Sequence, residues 1–410
     1  MSTDNGPADA ASTERRARKR VVIVAGAAAA GLLVAGIPVT ALGLAGTFSA
    51  SPGTPGANAP MSTPTWTSVT RSAGSPAPGS AAAALSSSPT SSPAASPTAS
   101  DPADYHGYVA LAGGNLVAEV DVATDAIIAE ITGADTAEGV SVAPDGSTVY
   151  VAETGQYYVL AVNAATKAPT KIEVGAYPQD VAVSPDGKLA YATVTGGDTG
   201  PGGSDVVAVI DTATNTVTGD IRVGTAPRQV VFSPDGAFAY VTTETGVYVI
   251  DTATSSVARV ISDPLGPQGI AVSPDGKTLY VTNPDAGTLW EISAATGAVL
   301  GRTNAGTEPY AVAVTPNGSA LYVADMNSDS VSVLSAATGK VTGTIGVGRL
   351  PMSIAATPDG SQVWVGNGLT GSVSVISVAS GKITATIGGG PGTATLDAAP
   401  LGIAFVPVSS

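Results

Sequence analysis

Few side chains in this 410-residue chain could do chemistry. It contains no cysteine and one histidine, His106, which excludes disulfide scaffolds, thiolate metal sites, cysteine nucleophiles and metal sites built from two histidines. A Ser-His-Asp machinery would have to use His106, which we interpret as a solvated residue beside a linker. The acidic balance, with 32 Asp and Glu against 17 Lys and Arg, argues against nucleic acid as a partner, because phosphate binding needs clustered positive charge.

One set of side chains recurs at the same place in a repeat and is the best candidate for a ligand site. Its members open seven predicted inner strands: Glu138, Gln179, Arg228, Gln268, Tyr310, Met352 and Leu401. If these strands surround a common channel, the set forms its rim, with a polar arc beside an apolar pair, which suits a small molecule or a peptide. Arg228 is the one cation of the rim. It can hold a carboxylate in bidentate fashion, or it pairs with Glu138 or Asp180.

A second set of polar side chains ends the predicted second strands and includes Glu153, Asn283 and Asn367. We expect these residues on the same face as the rim and include them as candidate ligand-binding residues. The stretch 325–329 has the acid spacing of the start of a calcium loop, but the glycine and the distal glutamate of an EF-hand are replaced by Ser330 and Ala336. The sequence therefore predicts an ordinary Asx-stabilised turn there, with no metal and no cofactor.

No catalytic constellation is present in the sequence, and no residue is assigned a catalytic role. Catalysis by carboxylates alone, through Glu138 and Glu153, would need one of the two to have a raised pKa. A glycine-rich insertion at 196–203 lacks the lysine and the following helix of a phosphate-binding loop. We interpret it as a surface insertion, with a mobile flap over the rim as the alternative.

The elements that must position these residues come from a repeat. A Pro-Asp-Gly or Pro-Asn-Gly turn recurs six times, at Pro144, Pro185, Pro234, Pro274, Pro316 and Pro358, at intervals of 41, 49, 40, 42 and 42 residues. Proline presets φ for the first turn position and glycine accepts a positive φ, so each triplet joins two strands in a hairpin. A second hairpin follows in every unit. Four antiparallel strands every 40 to 42 residues predict the blades of a β-propeller.

The two ends of the repeat region predict how the ring closes. The first unit, which begins near Tyr108, lacks an inner strand, and the chain finishes with an isolated inner strand at 400–407. Fitting the last strand into the first unit gives seven complete blades and removes two exposed sheet edges. The predicted fold is therefore an all-β, seven-bladed propeller over residues 105–410.

Some of these strands carry a recognisable signature. Tyr280-Val281-Thr282-Asn283 resembles the repeat of the YVTN-type β-propeller family, and Tyr150-Val151, Tyr240-Val241, Tyr322-Val323 and Trp364-Val365 are variants of it. The resemblance implies a seven-bladed propeller of the kind found in bacterial and archaeal surface proteins. It extends, more distantly, to the propellers of lactonases and of quinoprotein-like or haem-bearing oxidoreductases.

The first 104 residues differ in composition from the repeat region that follows them. Residues 1–20 end in a basic cluster, which predicts a cytoplasmic N-terminus. The uncharged stretch 21–45 predicts one transmembrane signal-anchor helix, with the rest of the chain outside the cell. A cleaved signal peptide is the alternative. Residues 46–104, rich in Pro, Ser, Thr and Ala, predict a disordered stalk, because they have little apolar surface to offset the cost of ordering.

These observations predict a membrane-tethered, extracellular, non-catalytic binding or interaction module of the cell envelope, with a monomeric propeller. Its expected partner is an envelope protein, a peptide or a small molecule. The alternative is an extracellular propeller enzyme, a hydrolase of the lactonase type or an oxidoreductase, with its site at the channel rim. A third interpretation is a spacer without a soluble ligand.

Overall fold

The structure, a computed structural model, describes residues 105–114, 116–134, 136–195, 205–262, 266–388 and 398–407. The predicted cytoplasmic segment, membrane helix and stalk lie outside these residues, as does the glycine-rich insertion at 196–203. Among the described residues, no helix has the length and apolar character needed to cross a membrane.

The described residues form seven four-stranded antiparallel sheets, which are the blades of a propeller. Blade 1 contains β1 (Tyr105–Ala112), β2 (Leu116–Asp121) and β3 (Ala126–Thr132). Blade 2 contains β4 (Ala137–Val142), β5 (Thr148–Glu153), β6 (Tyr158–Asn163) and β7 (Pro169–Glu173). Blade 3 contains β8 (Pro178–Val183), β9 (Leu189–Val194), β10 (Val206–Asp211) and β11 (Thr216–Arg222).

The remaining blades follow the same order, from the inner strand at the channel to the outer strand. Blade 4 contains β12 (Val230–Phe232), β13 (Phe238–Thr243), β14 (Gly246–Asp251) and β15 (Ser256–Ser262). Blade 5 contains β16 (Ile270–Val272), β17 (Thr278–Asn283), β18 (Thr288–Ser293) and β19 (Val299–Asn304), with a 3₁₀ turn at Pro284–Ala286. Blade 6 contains β20 (Pro309–Val314), β21 (Ala320–Asp325), β22 (Ser330–Ser335) and β23 (Lys340–Gly346), with a 3₁₀ turn at Met326–Ser328. Blade 7 contains β24 (Pro351–Ala356), β25 (Gln362–Asn367), β26 (Ser372–Ser377) and β27 (Lys382–Gly388).

The ring closes through the last strand of the chain. Strand β28 (Ala399–Pro407) pairs antiparallel with β1 and becomes the inner strand of blade 1. The ring of Phe405 packs edge-on against Trp364 of blade 7, with 5.1 Å between the ring centroids. The inner edge of β1 is therefore paired, and the predicted closure of seven blades is confirmed.

The Pro-Asp-Gly turns stabilise themselves and contact the neighbouring blade. The carboxylate of Asp186 accepts hydrogen bonds from Ser184 Oγ at 2.7 Å and from the Lys188 backbone N–H at 3.1 Å. Gly187 has a φ of +74°, which glycine adopts without steric cost, and a Cβ there would lie 3.5 Å from the ring of Pro144 in the preceding blade. The repeated triplet thus forms the hairpin and packs one blade against the next.

The core lies between the blades. Aromatic side chains of the second strands are almost fully buried, including Tyr150, Tyr191 and Tyr240. Each packs against apolar side chains of the adjacent blade. Tyr150, for example, belongs to the same cluster as Val181 of blade 3. The alternation of apolar and polar residues along each strand is what places these rings in the gaps between sheets.

Candidate functional site

The inner strands surround a central cavity of about 140 Å³. All seven rim residues line it: Glu138, Gln179, Arg228, Gln268, Tyr310, Met352 and Leu401. The structure therefore brings together five of the eight candidate ligand-binding residues, while their role in binding stays a prediction. The cavity is smaller than the roughly 300–1,000 Å³ of pockets for drug-sized ligands, so it suits a compact ligand.

Hydroxyl groups between the blades position the rim. Thr282 Oγ1 accepts from the Gly269 backbone N–H of its own blade at 2.8 Å and donates to the Tyr310 carbonyl of the next blade at 2.9 Å. Thr193 and Thr242 make the same pair of contacts in blades 3 and 4. Each of these threonine hydroxyls therefore links the backbone of its own inner strand to the backbone of the next one. Because it accepts from one strand and donates to the other, it fixes the position of the next rim residue relative to its own blade.

The residue after each rim residue also faces the cavity, and the sequence analysis missed its importance. Asp180 and Gln229 occupy this position in blades 3 and 4 and line the cavity. Asp180 Oδ2 accepts from the Val230 backbone N–H at 3.0 Å. Blade 2 has Gly139 at this position, and a Cβ there would lie 2.4 Å from Asp180 Oδ1. The signal in the sequence was a charged residue at a position where the other blades have Gly, Gln, Ala or Ser.

Two carboxyl groups on adjacent inner strands have strongly raised pKa values. Burial raises the pKa of Glu138 to about 7, although a hydrogen bond with Thr154 and the charge of Arg228 act in the opposite direction. Burial also raises the pKa of Asp180 to about 7, with a smaller contribution from the negative charge of Glu138. Both groups therefore change charge near neutral pH, where acid–base catalysis is most effective.

Arg228 and Tyr310 complete the charged part of the cavity. Among the described residues, no carboxylate oxygen lies within 4.0 Å of the Arg228 guanidinium nitrogens. The suggested ion pair with Glu138 or Asp180 is thus not formed, although the charge of Arg228 still lowers the pKa of Glu138. Burial raises the pKa of Tyr310 to about 12, so its hydroxyl is neutral and can donate a hydrogen bond.

The other three candidate residues do not line the cavity. Glu153, Asn283 and Asn367 are fully buried at the ends of their strands. Glu153 Oε2 accepts from the Thr136 backbone N–H at 3.0 Å, and the Asn367 amide donates to Ser374 Oγ at 3.0 Å. These three side chains therefore lie outside the cavity lining, and their role in ligand binding stays a prediction.

The acidic side chains of the stretch 325–329 form hydrogen bonds within the protein. Asp325 is buried, its Oδ2 accepts from Ser332 Oγ at 2.7 Å, and burial raises its pKa to about 6. Asp329 Oδ1 accepts from the Leu350 backbone N–H at 2.9 Å. Across the part of the chain that the structure describes, no group of three or more His, Asp or Glu side chains is arranged to hold a metal ion.

His106 is not a solvated linker residue. It lies in β1, opposite Val406 of β28, and its Nδ1 is 2.9 Å from Glu119 Oε1. Glu119 is buried and also binds Lys167 of blade 2 and the Tyr108 hydroxyl. Pairing with the closing strand β28 places His106 within the sheet. The contact between Glu119 and Lys167 joins blade 1 to blade 2, and none of these residues lines the cavity.

A family model described as "Lactonase, 7-bladed beta-propeller" matches residues 203–346. The chain is similar to the lactonase propellers. The matched part is about a third of the chain and includes Arg228, Gln268 and Tyr310, but neither Glu138 nor Asp180. The similarity therefore supports the seven-bladed fold directly and reaches only part of the rim.

Solved structures agree with this architecture. Hydrazine synthase of Kuenenia stuttgartiensis is 26% identical, with a TM-score of 0.59, over 65% of this chain and 90% of that chain. A functionally unknown protein from Desulfotomaculum acetoxidans is 16% identical, with a TM-score of 0.61, over 73% of this chain and 98% of that chain. The second likeness shows the fold alone. No curated protein matches the sequence.

Proposed function

We propose that this protein is a hydrolase of the lactonase type that opens a small cyclic ester in the central cavity. The observation that carries the proposal is the pair of half-buried carboxyl groups, Glu138 and Asp180, each with a pKa of about 7 and both lining the cavity that contains Arg228. The similarity to the lactonase family model supports the choice of a lactone among the esters.

The chemistry needs one base, one acid and one stabiliser of negative charge. The base removes a proton from water as the water oxygen attacks the lactone carbonyl carbon. The Arg228 guanidinium stabilises the oxyanion that develops on the carbonyl oxygen. The acid then gives its proton to the ring oxygen as the ester C–O bond breaks, which yields a hydroxy acid. Two carboxyl groups that exchange protons near pH 7 can supply both transfers.

The size and lining of the cavity define the substrate class. A volume of about 140 Å³ suits a lactone of a few carbon atoms, and the amides of Gln179 and Gln268 can bind hydroxyl groups on its ring. The apolar side of the rim, Met352 and Leu401, suits an unsubstituted ring edge. Small hydroxylated or carboxylated γ- and δ-lactones are the expected substrates.

The test is proton release by the full chain with a panel of such lactones, since each hydrolysed ester liberates one acid. Glu138→Gln and Asp180→Asn are each expected to lower kcat by roughly 10²- to 10⁴-fold. Glu291→Gln is the matched control: Glu291 is half-buried on β18 with a pKa also raised by burial, but it lies outside the cavity lining. Turnover that survives both cavity substitutions would refute the proposal.

A second candidate is the non-catalytic binding module that the sequence analysis favours. The unpaired guanidinium of Arg228 beside Gln179, Gln229 and Gln268 favours it, because one cation and several amides can bind a small carboxylate without transforming it. Binding of a hydroxy acid that stabilises the protein, with no turnover of any lactone, would favour this function. Loss of that stabilisation in Arg228→Gln would locate the ligand at the rim.

We also propose that residues 21–45 tether the propeller to the outer face of a cell membrane as a monomer. The apolar stretch and the basic cluster before it support this location. Protease added to intact cells should release the propeller by cutting within residues 46–104. Resistance of the propeller until the cells are lysed would contradict the proposed orientation.

A further inference from the structure

A bulge in the inner strands lets two consecutive side chains face the cavity. In blade 4, the Arg228 backbone N–H donates to the Thr242 carbonyl at 2.8 Å, and the Thr242 N–H donates to the Gln229 carbonyl at 3.0 Å. Two residues thus stand opposite one, and such a bulge turns side chains that would otherwise alternate toward the same side. Arg228 and Gln229 therefore both line the cavity. The pairing of β8 with β9 shifts at the same place, and Gln179 and Asp180 both line it too.

The orientation of the Gln229 side-chain amide is fixed by the next blade. Its Oε1 accepts a hydrogen bond from the Ile270 backbone N–H at 2.7 Å. A backbone N–H can donate only to the oxygen of an amide, so this contact decides which end of the group faces which way. Nε2, with its two N–H donors, is therefore turned away from Ile270 and toward the cavity that the side chain lines.

Among the described residues, no acceptor takes up these two donors. The Glu138 carboxyl group accepts a hydrogen bond from Thr154 Oγ1. The Asp180 carboxyl group accepts one from the Val230 backbone N–H. The contact with blade 5 is the one hydrogen bond that the Gln229 amide group makes within the described part of the chain. Donors held beside a cavity without a partner favour a ligand that brings an oxygen acceptor.

Asp180 makes the equivalent contact one blade earlier, and the comparison shows what differs between the two positions. Asp180 Oδ2 accepts from the backbone N–H two residues after the rim residue of blade 4, as Gln229 Oε1 accepts from the same position of blade 5. One atom of each side chain thus joins two inner strands. The other atom is a carboxyl oxygen in Asp180, which can exchange a proton, and an amide nitrogen in Gln229, which keeps its protons and can bind negative charge.

We propose that Gln229 is a catalytic residue that forms the oxyanion hole of the cavity together with Arg228. This role rests on the hydrolase function proposed above. As the water oxygen bonds to the lactone carbonyl carbon, the π electrons of the carbonyl move onto its oxygen, which accepts from Gln229 Nε2 and from the Arg228 guanidinium. When the ester C–O bond breaks, the carbonyl forms again, and the ring oxygen takes the proton that the acid supplies.

The fixed amide should act mainly on the transition state. A donor that is already held in place needs no reorganisation when negative charge develops on the carbonyl oxygen, so its hydrogen bond strengthens at that moment. An interaction that strengthens only in the transition state raises kcat and has little effect on KM. Loss of the Gln229 donors should therefore appear in kcat.

The test is steady-state kinetics of the full chain with the panel of small lactones, using two substitutions that remove the donors in different ways. Gln229→Met keeps the length of the side chain and adds no charge, but it loses the contact with Ile270. Gln229→Glu keeps an oxygen for the Ile270 N–H and adds a negative charge. We expect both to lower kcat by roughly 10²- to 10³-fold, with little change in KM. If thermal melts show that Gln229→Met does not fold, Gln229→Glu decides the question.

Gln362→Glu is the matched control. Gln362 Oε1 accepts from Trp364 Nε1 at 2.8 Å, so this amide is also fixed by an N–H donor, but it lies outside the cavity lining. Its kinetics should equal those of wild type.

The outcomes separate this role from the hydrolase function. If wild type hydrolyses a lactone and either Gln229 variant keeps full kcat, the proposal is overturned: a role confined to holding Ile270 would spare Gln229→Glu, and an effect of charge alone would spare Gln229→Met. A raised KM with unchanged kcat would also overturn it, because Gln229 would then bind the substrate and its transition state equally. Absence of turnover by wild type would refute the hydrolase itself, and the catalytic role of Gln229 with it.

Discussion

Replacing Glu138 by glutamine should stabilise the protein at alkaline pH. The pKa of Glu138 rises from the ordinary value of 4.5 to about 7 in the folded protein, chiefly because of burial. The folded state therefore binds this proton more tightly than the unfolded state, and its stabilising effect, complete below about pH 4.5, is lost as the pH rises toward 7. Glutamine has the shape of the protonated acid and has no proton to lose.

The size of the effect follows from the pKa values. A rise from 4.5 to about 7 corresponds to about 3 kcal/mol at about 1.4 kcal/mol per pKa unit. Glu138 keeps some contact with channel water, which screens its charge, so we expect about 2 kcal/mol at pH 8. For a domain of this size, that amounts to an increase in Tm on the order of 5 °C.

The assay is urea unfolding of wild type and Glu138→Gln at about pH 5 and about pH 8. The stability difference between the two proteins should grow by about 2 kcal/mol between these conditions. Asp180 and Asp325 also have raised pKa values, but they are present in both proteins and largely cancel. Glu130→Gln, at an exposed position on the outer strand β3, is the matched control.

Equal pH dependence in wild type and Glu138→Gln would refute the reasoning. It would mean that water reaches the Glu138 carboxyl group freely, so that ionisation has no cost in the folded state. The raised pKa would then be absent, and with it the main support for acid–base chemistry in the cavity. If Glu138→Gln is more stable and also loses turnover, the ionisable group at this position lowers the stability of the wild-type protein but is needed for its activity.

Three further predictions concern the rim and the joints between blades. Arg228→Gln should raise the KM or Kd for carboxylate ligands by at least about tenfold, measured by kinetics or calorimetry, with little change for neutral ones. A Cβ at Gly366 would lie 2.2 Å from Ser353 Oγ and 2.3 Å from the Pro400 carbonyl oxygen, so Gly366→Thr should lower the unfolding free energy by about 2 kcal/mol. Adding Ser353→Gly should restore only part of this loss in thermal melts, because the contact with the Pro400 backbone remains. Burial tends to raise the pKa of Glu119, but hydrogen bonds, first among them that from Lys167, outweigh burial and lower it. Glu119→Gln should therefore lower the free energy of unfolding by about 2–4 kcal/mol near neutral pH, measured by urea unfolding. The loss should become progressively smaller as the pH falls below about 4.5, where the wild-type carboxylate takes up a proton.

The amino-acid sequence alone determined the architecture. The turn triplets, their spacing and the alternation of apolar residues specify hairpins and blades, because these signals act over a few residues. The missing inner strand near Tyr108 and the surplus strand at 400–407 were enough to predict the closure that β28 makes. The rim residues could be predicted as well, since each opens an inner strand and inner strands share one centre.

Only the tertiary structure decided which of these residues can act together. Asp180 was not a candidate ligand-binding residue, because its place in the cavity lining depends on packing against the next blade, where its Oδ2 accepts from the Val230 backbone N–H. Glu153 was a candidate and proved to be fully buried outside the cavity lining. Neither the spacing of the strands nor the residue type predicts which carboxyl group is desolvated in the folded protein. A pKa depends on everything packed around the group, and in a propeller those neighbours come from blades about 40 residues or more apart in the chain.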